Sequence, residues 1–163
     1  MSLNPRELCL GSTRAIYSSK DEFQLADGAS AATIALVAPP WLQDALQVLL
    51  DGTEGVLLVA SATNVDSLTM LELEAAPDFV LLDADRVNLM AVSEVQRIMR
   101  TWPSTDCVAL VDNPGQIPLL KAAGASLSLL KGATPRRLKG VLQALSEPVL
   151  GSESTGRSLT SRL

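Results

Sequence analysis

Residues 34–52 read Ile34-Ala35-Leu36-Val37-Ala38-Pro39-Pro40-Trp41-Leu42-Gln43-Asp44-Ala45-Leu46-Gln47-Val48-Leu49-Leu50-Asp51-Gly52. The opening apolar run, stopped by two prolines, has the length and texture of a buried strand that ends in a turn. Leu42, Ala45, Leu46, Leu49 and Leu50 then recur at i, i+3, i+4, i+7 and i+8, the apolar stripe of a helix, and Gly52 closes it. The unit is one strand followed by one helix, and downstream it repeats four times. Residues 56–60 predict a strand, 64–74 a helix with Asn64 as its N-cap, and 79–82 a strand introduced by Pro77-Asp78. Val92, Val95, Ile98 and Met99 mark a third helix that ends before Trp102-Pro103, and residues 107–111 the next strand. Pro114-Gly115 makes a turn, Ile117, Leu120 and Ala123 a short helix stopped at Gly124, and residues 127–130 the fifth strand. Thr134 then caps a last helix with Pro135 at its first position and Leu138, Val141, Leu142 and Leu145 on its buried face. Five such units specify an α/β fold, a doubly wound five-stranded parallel sheet.

At 163 residues the chain is near the ~150 residues of one ordinary domain. The alternation places that domain at residues 31–146. Residues 1–30 show no sustained period and read as a leader, irregular or with one short helix over residues 6–17. Residues 147–163, with Gly151, Ser152, Ser154, Gly156 and Ser158, read as a polar linker or tail. Apolar residues make up 47% of the chain but only five residues are aromatic, so the core must be built from Leu, Val, Ile and Ala. That composition suits parallel strands covered on both faces.

Thirteen basic against eighteen acidic residues give a formal net charge of −5, which argues against binding the phosphates of a nucleic acid directly. The longest uncharged stretch, residues 28–43, is short and broken by Pro39 and Pro40, so no membrane span is predicted. Arg6, Glu7, Arg14, Lys20, Asp21, Glu22 and Asp27 leave no apolar signal-peptide core, and the expected location is cytoplasmic. The chain has no histidine and only two cysteines, Cys9 and Cys107, far apart in sequence. The commonest general base, the usual partner of a Ser or Cys nucleophile and any Cys-x-x-Cys motif are thereby excluded. Neither an enzyme nor a resident cofactor is expected.

With these elements in place, Pro77-Asp78-Phe79-Val80-Leu81-Leu82-Asp83 resembles the third strand of response-regulator receiver domains of the NarL type. In that family the strand ends in the aspartate that accepts a phosphoryl group. Ala123-Gly124-Ala125-Ser126-Leu127-Ser128-Leu129-Leu130-Lys131-Gly132-Ala133-Thr134-Pro135 resembles the family's turn, fifth strand, phosphate-site lysine and last-helix cap. With Trp102-Pro103 the resemblance spans residues 34–145. It implies a flavodoxin-like (CheY-like) strand order of 2-1-3-4-5, with functional groups at the carboxyl ends of the strands. It also implies Asp83 as phosphoacceptor and Lys131 as its lysine.

The departures from the family pattern bear on function. The acidic pair that holds Mg²⁺ after the first strand is replaced by Val37-Ala38, the hydroxyl residue that ends the fourth strand by Asp112, and the loop after the acceptor by Arg86-Val87-Asn88. Without the cation a carboxylate attacking a phosphoryl dianion meets uncompensated repulsion. Asp83 and Asp85 remain as candidate cation ligands, although Asp85 reads first as a solvated loop residue, and an Asp83–Lys131 ion pair is expected. Pro39, Pro40 and Trp41 are expected to plug the emptied metal pocket.

Six acids and no base lie between residues 64 and 85 (Asp66, Glu72, Glu74, Asp78, Asp83 and Asp85). Lys131, Arg136, Arg137 and Lys139 form a basic run with no acid. The last helix, with Arg136, Arg137 and Lys139, is the expected interaction surface for a second copy or a protein partner such as a histidine kinase. Leu159-Thr160-Ser161-Arg162 resembles the opening of the helix-turn-helix output domain that follows such receivers, with Leu163 where a Glu is usual. The chain is then a fragment of a DNA-binding regulator, and otherwise a stand-alone receiver with a polar tail.

The residues predict a degenerate receiver that acts by protein contacts in signal transduction or transcriptional control, with phosphorylation weak or absent. The alternatives are a receiver phosphorylated on Asp83, its Mg²⁺ site rebuilt from Asp83, Asp85 and backbone oxygens, and a small-ligand sensor using a cleft of Pro39, Trp41 and Val111.

Overall fold

Side chains alternate between the two faces of a strand, and in this sheet both faces lead into apolar layers. The computed structural model describes residues 7–10, 13–16, 31–85, 88–132 and 135–146. In chain order, β1 (Glu7–Leu10) and β2 (Thr13–Ile16) precede β3 (Ala32–Val37), α1 (Pro40–Asp51), β4 (Val56–Ala62), α2 (Val65–Thr69) and β5 (Phe79–Asp83). There follow α3 (Asn88–Thr101), β6 (Asp106–Val111), a 3₁₀ turn over Pro114–Gln116, α4 (Ile117–Ala123), β7 (Leu127–Leu130) and α5 (Pro135–Ser146). β3 to β7 are parallel and ordered β4-β3-β5-β6-β7, the 2-1-3-4-5 order expected.

Ile34, Leu36, Leu81, Val108 and Leu110 face one layer, closed by Leu46 and Leu50 of α1 and Leu138 and Leu142 of α5. Ala35, Val37, Val80, Leu82, Ala109 and Val111 face the other, closed by Val65, Leu68, Val95, Ile98 and Leu120 of α2, α3 and α4. Each fully buried Leu or Ile contributes about 1.5–3 kcal/mol, and small residues such as Ala35, Ala60 and Ala109, all fully buried, allow the helices to lie close to the sheet.

Within the first thirty residues, those described, 7–10 and 13–16, depart from the expectation of an irregular or helical leader. β1 and β2 form an antiparallel hairpin, and β2 pairs with the outer edge of β4 through Arg14↔Ser61 and Ala15↔Ala60. Leu10 pairs with Thr13, so only Gly11 and Ser12 connect the strands. Two short runs separated by Gly-Ser are a hairpin signal, and an edge strand offers unpaired backbone groups for such an addition. The rest of residues 1–30 and the tail at 147–163 lie outside the described residues, as does the Thr134 cap.

The helix expected over 64–74 is also shorter. Asn64 caps it as predicted, its Oδ1 accepting from the Ser67 amide at 2.8 Å, but it ends at Thr69. Beyond it Leu71 and Leu73 pack on the core while Glu72 and Glu74 are exposed. A two-residue period cannot be met by a helix, and burial of both leucines decides the backbone. Gly124 stops α4 in the left-handed region at φ 116°, where a Cβ is strained. Among the described residues no helix is long and apolar enough to cross a membrane.

At the amino-terminal end of the sheet, Asp78 ties β5 to β3. Its Oδ2 accepts from the Thr33 amide at 2.8 Å and from the Thr33 hydroxyl at 3.0 Å, while its own amide donates to the Thr33 Oγ1 at 3.0 Å. Asp78→Ala leaves the buried Thr33 amide without this acceptor and is expected to cost about 1–2 kcal/mol. The loss should read as a lower urea midpoint with an unchanged slope.

Candidate functional site

Parallel strands deliver their last residues to one edge of the sheet. The backbone ladder continues just past β5 and β7: the Ala84 amide donates to the Leu110 carbonyl at 2.8 Å and the Lys131 amide to the Val111 carbonyl at 2.9 Å. Asp83 and Asp85 from the end of β5, Asp112 from the end of β6 and Lys131 from the end of β7 therefore meet. Lys131 Nζ lies 2.5 Å from Asp83 Oδ1, forms a second ion pair with Asp85 Oδ2, and is 3.9 Å from Asp112 Oδ2. Asp85 is held further by the Asp112 amide, which donates to its Oδ1 at 2.9 Å, and its own amide donates to Asp83 Oδ1 at 3.3 Å. The Asp83 side chain is 7% exposed and that of Lys131 16%, so water screens this pair little.

Electrostatics follow from the geometry. Burial pushes the Asp85 carboxyl up. The hydrogen bonds it shares with the Asp112 carboxyl, Lys131 and the Asp112 amide outweigh burial and hold it below the ordinary value. The same carboxyl–carboxyl contact, with slight burial and the neighbouring negative charges, raises Asp112. Asp112 is therefore the member of the pair that takes up a proton first. Lys131 is pulled down by burial but raised further by Asp83 and Asp85, and stays charged well into alkaline solution.

The expected Asp83–Lys131 pair is present. Asp85, read first as a solvated loop residue, is instead a second partner of the same ammonium. The sequence reading missed the convergence of Asp85 and Asp112 on Lys131. A signal existed, since each lies within three residues of a predicted strand end on the edge where Lys131 was placed.

The Mg²⁺ that the receiver resemblance implies does not fit these residues. The register Val37↔Leu82 brings Ala38 level with Asp83, and Val37 and Ala38 are both buried and apolar. The Ala38 carbonyl, a candidate backbone ligand, already accepts from Gln43 Nε2 at 2.7 Å. Asp83 and Asp85 both turn to Lys131, and among the described residues no group of three or more His, Cys, Asp or Glu side chains is placed to hold a metal ion.

The expected apolar plug does not form. Trp41 is 72% exposed because α1 begins at Pro40 and turns Leu46 and Leu50 inward, leaving position 41 on the outer face. Val111 is fully buried, so Pro39, Trp41 and Val111 do not form the cleft of a small-ligand sensor. Arg86 and Val87 lie outside the described residues, and Asn88 opens α3.

The acidic run of residues 64–85 is dispersed rather than gathered on one face. Asp66 pairs with Arg97, Asp78 bonds Thr33 at one end of β5, and Asp83 and Asp85 bond Lys131 at the other. On α5, Arg136 and Arg137 are exposed, but Lys139 Nζ donates to the Gly52 carbonyl at 2.6 Å. That lysine ties α5 to the end of α1.

No family model matches the chain, and a search of curated proteins found no match. Solved structures do resemble it. A LuxR-family two-component response regulator from Aurantimonas sp. SI85-9A1 is 22% identical with a TM-score of 0.64, over 72% of this chain and 86% of that one. A LuxR-family DNA-binding response regulator from Silicibacter pomeroyi is 22% identical with a TM-score of 0.59, over 71% of this chain and 91% of that one. The RcsB response regulator of Salmonella typhimurium is 18% identical with a TM-score of 0.61, over 72% of this chain and 59% of that one, so the match spans about three fifths of RcsB. The chain has the fold of response-regulator receiver domains.

Lys131→Met leaves Asp83 buried beside Asp85 with no counter-ion. The expected loss is about 2–3 kcal/mol, less than the ~3–5 kcal/mol of a fully buried pair because Asp85 is partly wet. For pH the signs are fixed by the shifts. Asp85, lowered from 3.8, contributes stability that is present above that value and lost as pH falls through its folded value. Lys131, raised from 10.5, contributes stability that is present below that value and lost as pH rises through its folded value. Urea denaturation should show both losses in the wild type, at the acid and alkaline ends, and the alkaline one should be missing in Lys131→Met.

Proposed function

We propose that this chain is a degenerate receiver domain acting in signal transduction or transcriptional control through protein contacts, with phosphorylation of Asp83 weak or absent. One observation carries the reading: the ammonium of Lys131 is bound by Asp83 and Asp85 together, on an edge where Val37 and Ala38 supply no carboxylate. An attacking Asp83 must first give up this partner. It must then approach a phosphoryl dianion beside Asp85 and Asp112, with no divalent cation to neutralise the charge. The fold of the solved response regulators supports a signalling domain over an enzyme, and the net charge of −5 supports protein partners, a second copy or a histidine kinase, over nucleic acid.

Treatment with acetyl phosphate and Mg²⁺ followed by intact-mass spectrometry is expected to show little or no phosphoprotein, with any trace abolished in Asp83→Asn. Stoichiometric labelling at Asp83 would overturn the reading in favour of a phosphoaccepting receiver.

Millimolar Mg²⁺ alone should leave thermal stability nearly unchanged, since a ligand stabilises only through its occupancy of the folded state. A saturable rise in melting temperature would instead reveal a cation site rebuilt around Asp83 and Asp85.

A further inference from the structure

The hairpin of β1 and β2 gives the sheet a new edge, and among the described residues nothing pairs with the far side of β1. Which backbone groups face outward there follows from the register. In an antiparallel ribbon, residues that exchange hydrogen bonds with the partner strand alternate with residues whose N–H and C=O point away from it. A two-residue connection makes the pair that closes it, Leu10↔Thr13, a hydrogen-bonded one. Leu8↔Ala15 is the next such pair, so Glu7 and Cys9 turn their backbone groups away from β2. The same alternation turns Arg14 away from β1, and Arg14 is a residue through which β2 meets β4. Glu7 and Cys9 thus offer two N–H and two C=O groups at the edge. The devices that usually guard an edge are missing from β1: its register with β2 runs without a bulge, and its residues include no lysine or proline. The hairpin is fastened to β4 by two residue pairs, and a two-stranded ribbon is marginal without further strands.

We infer that β1 pairs antiparallel with β1 of a second copy about a two-fold axis at Leu8, so that one sheet runs through both molecules. The contact is self-complementary, as an isologous interface requires. Hydrogen-bonded pairs form only between outward-facing residues, which leaves few registers. Setting Glu7 opposite Glu7 places like charges together and brings Pro5, which has no N–H, opposite Cys9. Setting Cys9 opposite Cys9 carries Glu7 to Gly11, beyond the strand. With Leu8 opposite Leu8, Glu7 of each copy pairs with Cys9 of the other, and every outward group of the strand is used in hydrogen bonding. A strand of four residues buries far less than the ~1,200 Å² of a stable interface, so the pairing is weak, reversible and concentration-dependent. Between β1 and β5 stand β2, β4 and β3, so Asp83 takes no part in it.

Disulfide trapping in the full chain tests both the contact and its register. Facing residues that exchange no hydrogen bonds bring their Cα atoms to about 4.5 Å, within disulfide reach. Leu8→Cys in a Cys9→Ser background should therefore form a disulfide-linked dimer under mild oxidation, read by intact-mass spectrometry without reductant. Leu10→Cys in the same background should not, since position 10 then faces position 6. Native Cys9 should not either, because its two copies are offset along the strands beyond that reach. Cys107 is buried and common to every variant. Leu8→Cys with Cys9→Pro removes an outward N–H from each copy and should slow trapping about tenfold or more, with circular dichroism as the folding control. Trapping of Leu8→Cys no faster than that of Leu10→Cys, a dimer linked through native Cys9, or trapping unaffected by the proline overturns the inference.

Discussion

Coverage of the parallel sheet on both faces is the constraint from which the rest follows. Because α1 and α5 close one layer and α2, α3 and α4 the other, nearly every side chain of β3, β5 and β6 must be apolar whichever way it points. Polar chemistry is thereby pushed to the ends of the strands. At the amino-terminal end it is spent on Thr33 and Asp78, which hold two strands in register. At the carboxyl end it gathers as Asp83, Asp85, Asp112 and Lys131. Neither cluster could lie mid-strand without leaving a charge unpaired in hydrocarbon.

The carboxyl-end cluster carries three carboxylates and one ammonium. Its balance depends on Lys131, reached by two ion pairs and anchored by its own amide on Val111. In a receiver with an acidic pair after its first strand, a divalent cation would share this neutralising task. Here that position is Ala38, packed in the core, and Asp85 is held instead by Lys131 and by the Asp112 amide, which donates to its Oδ1. An edge satisfied by its own side chains supports the proposal that this domain signals through its surface.

Different parts of the sequence were legible to different degrees. The strand read over 79–82 and the helix closed by Gly52 could be read locally, since the first is an apolar run between Asp78 and Asp83 and the second a clean stripe of leucines. The helix after Asn64 was overread, because Val65, Leu68 and Leu71 recur at helical spacing and carry the pattern past Thr69, while the Leu71–Leu73 alternation that breaks it is too short to stand out. The hairpin was missed although Gly11-Ser12 signals it, because strands of four residues have too little periodicity to stand out and become stable only against β4. Trp41 was misplaced for a related reason. Its neighbours predict a helix, but whether a residue in the first turn faces a pocket or solvent depends on where the helix axis lies.

The sequence by itself determined the order of strands and helices from Ile34 onward, the apolar composition of the core, and the presence of Asp83 and Lys131 at strand ends. These are local properties of period, turn chemistry and composition. Only the tertiary structure decided that Asp85 and Asp112 join Lys131, that Lys139 bonds Gly52, that β1 and β2 extend the sheet, and that Trp41 and Val48 stand in water. Each depends on residues distant in sequence being brought within a few ångströms. Register and helix placement set those distances, and they come from packing the whole sheet at once.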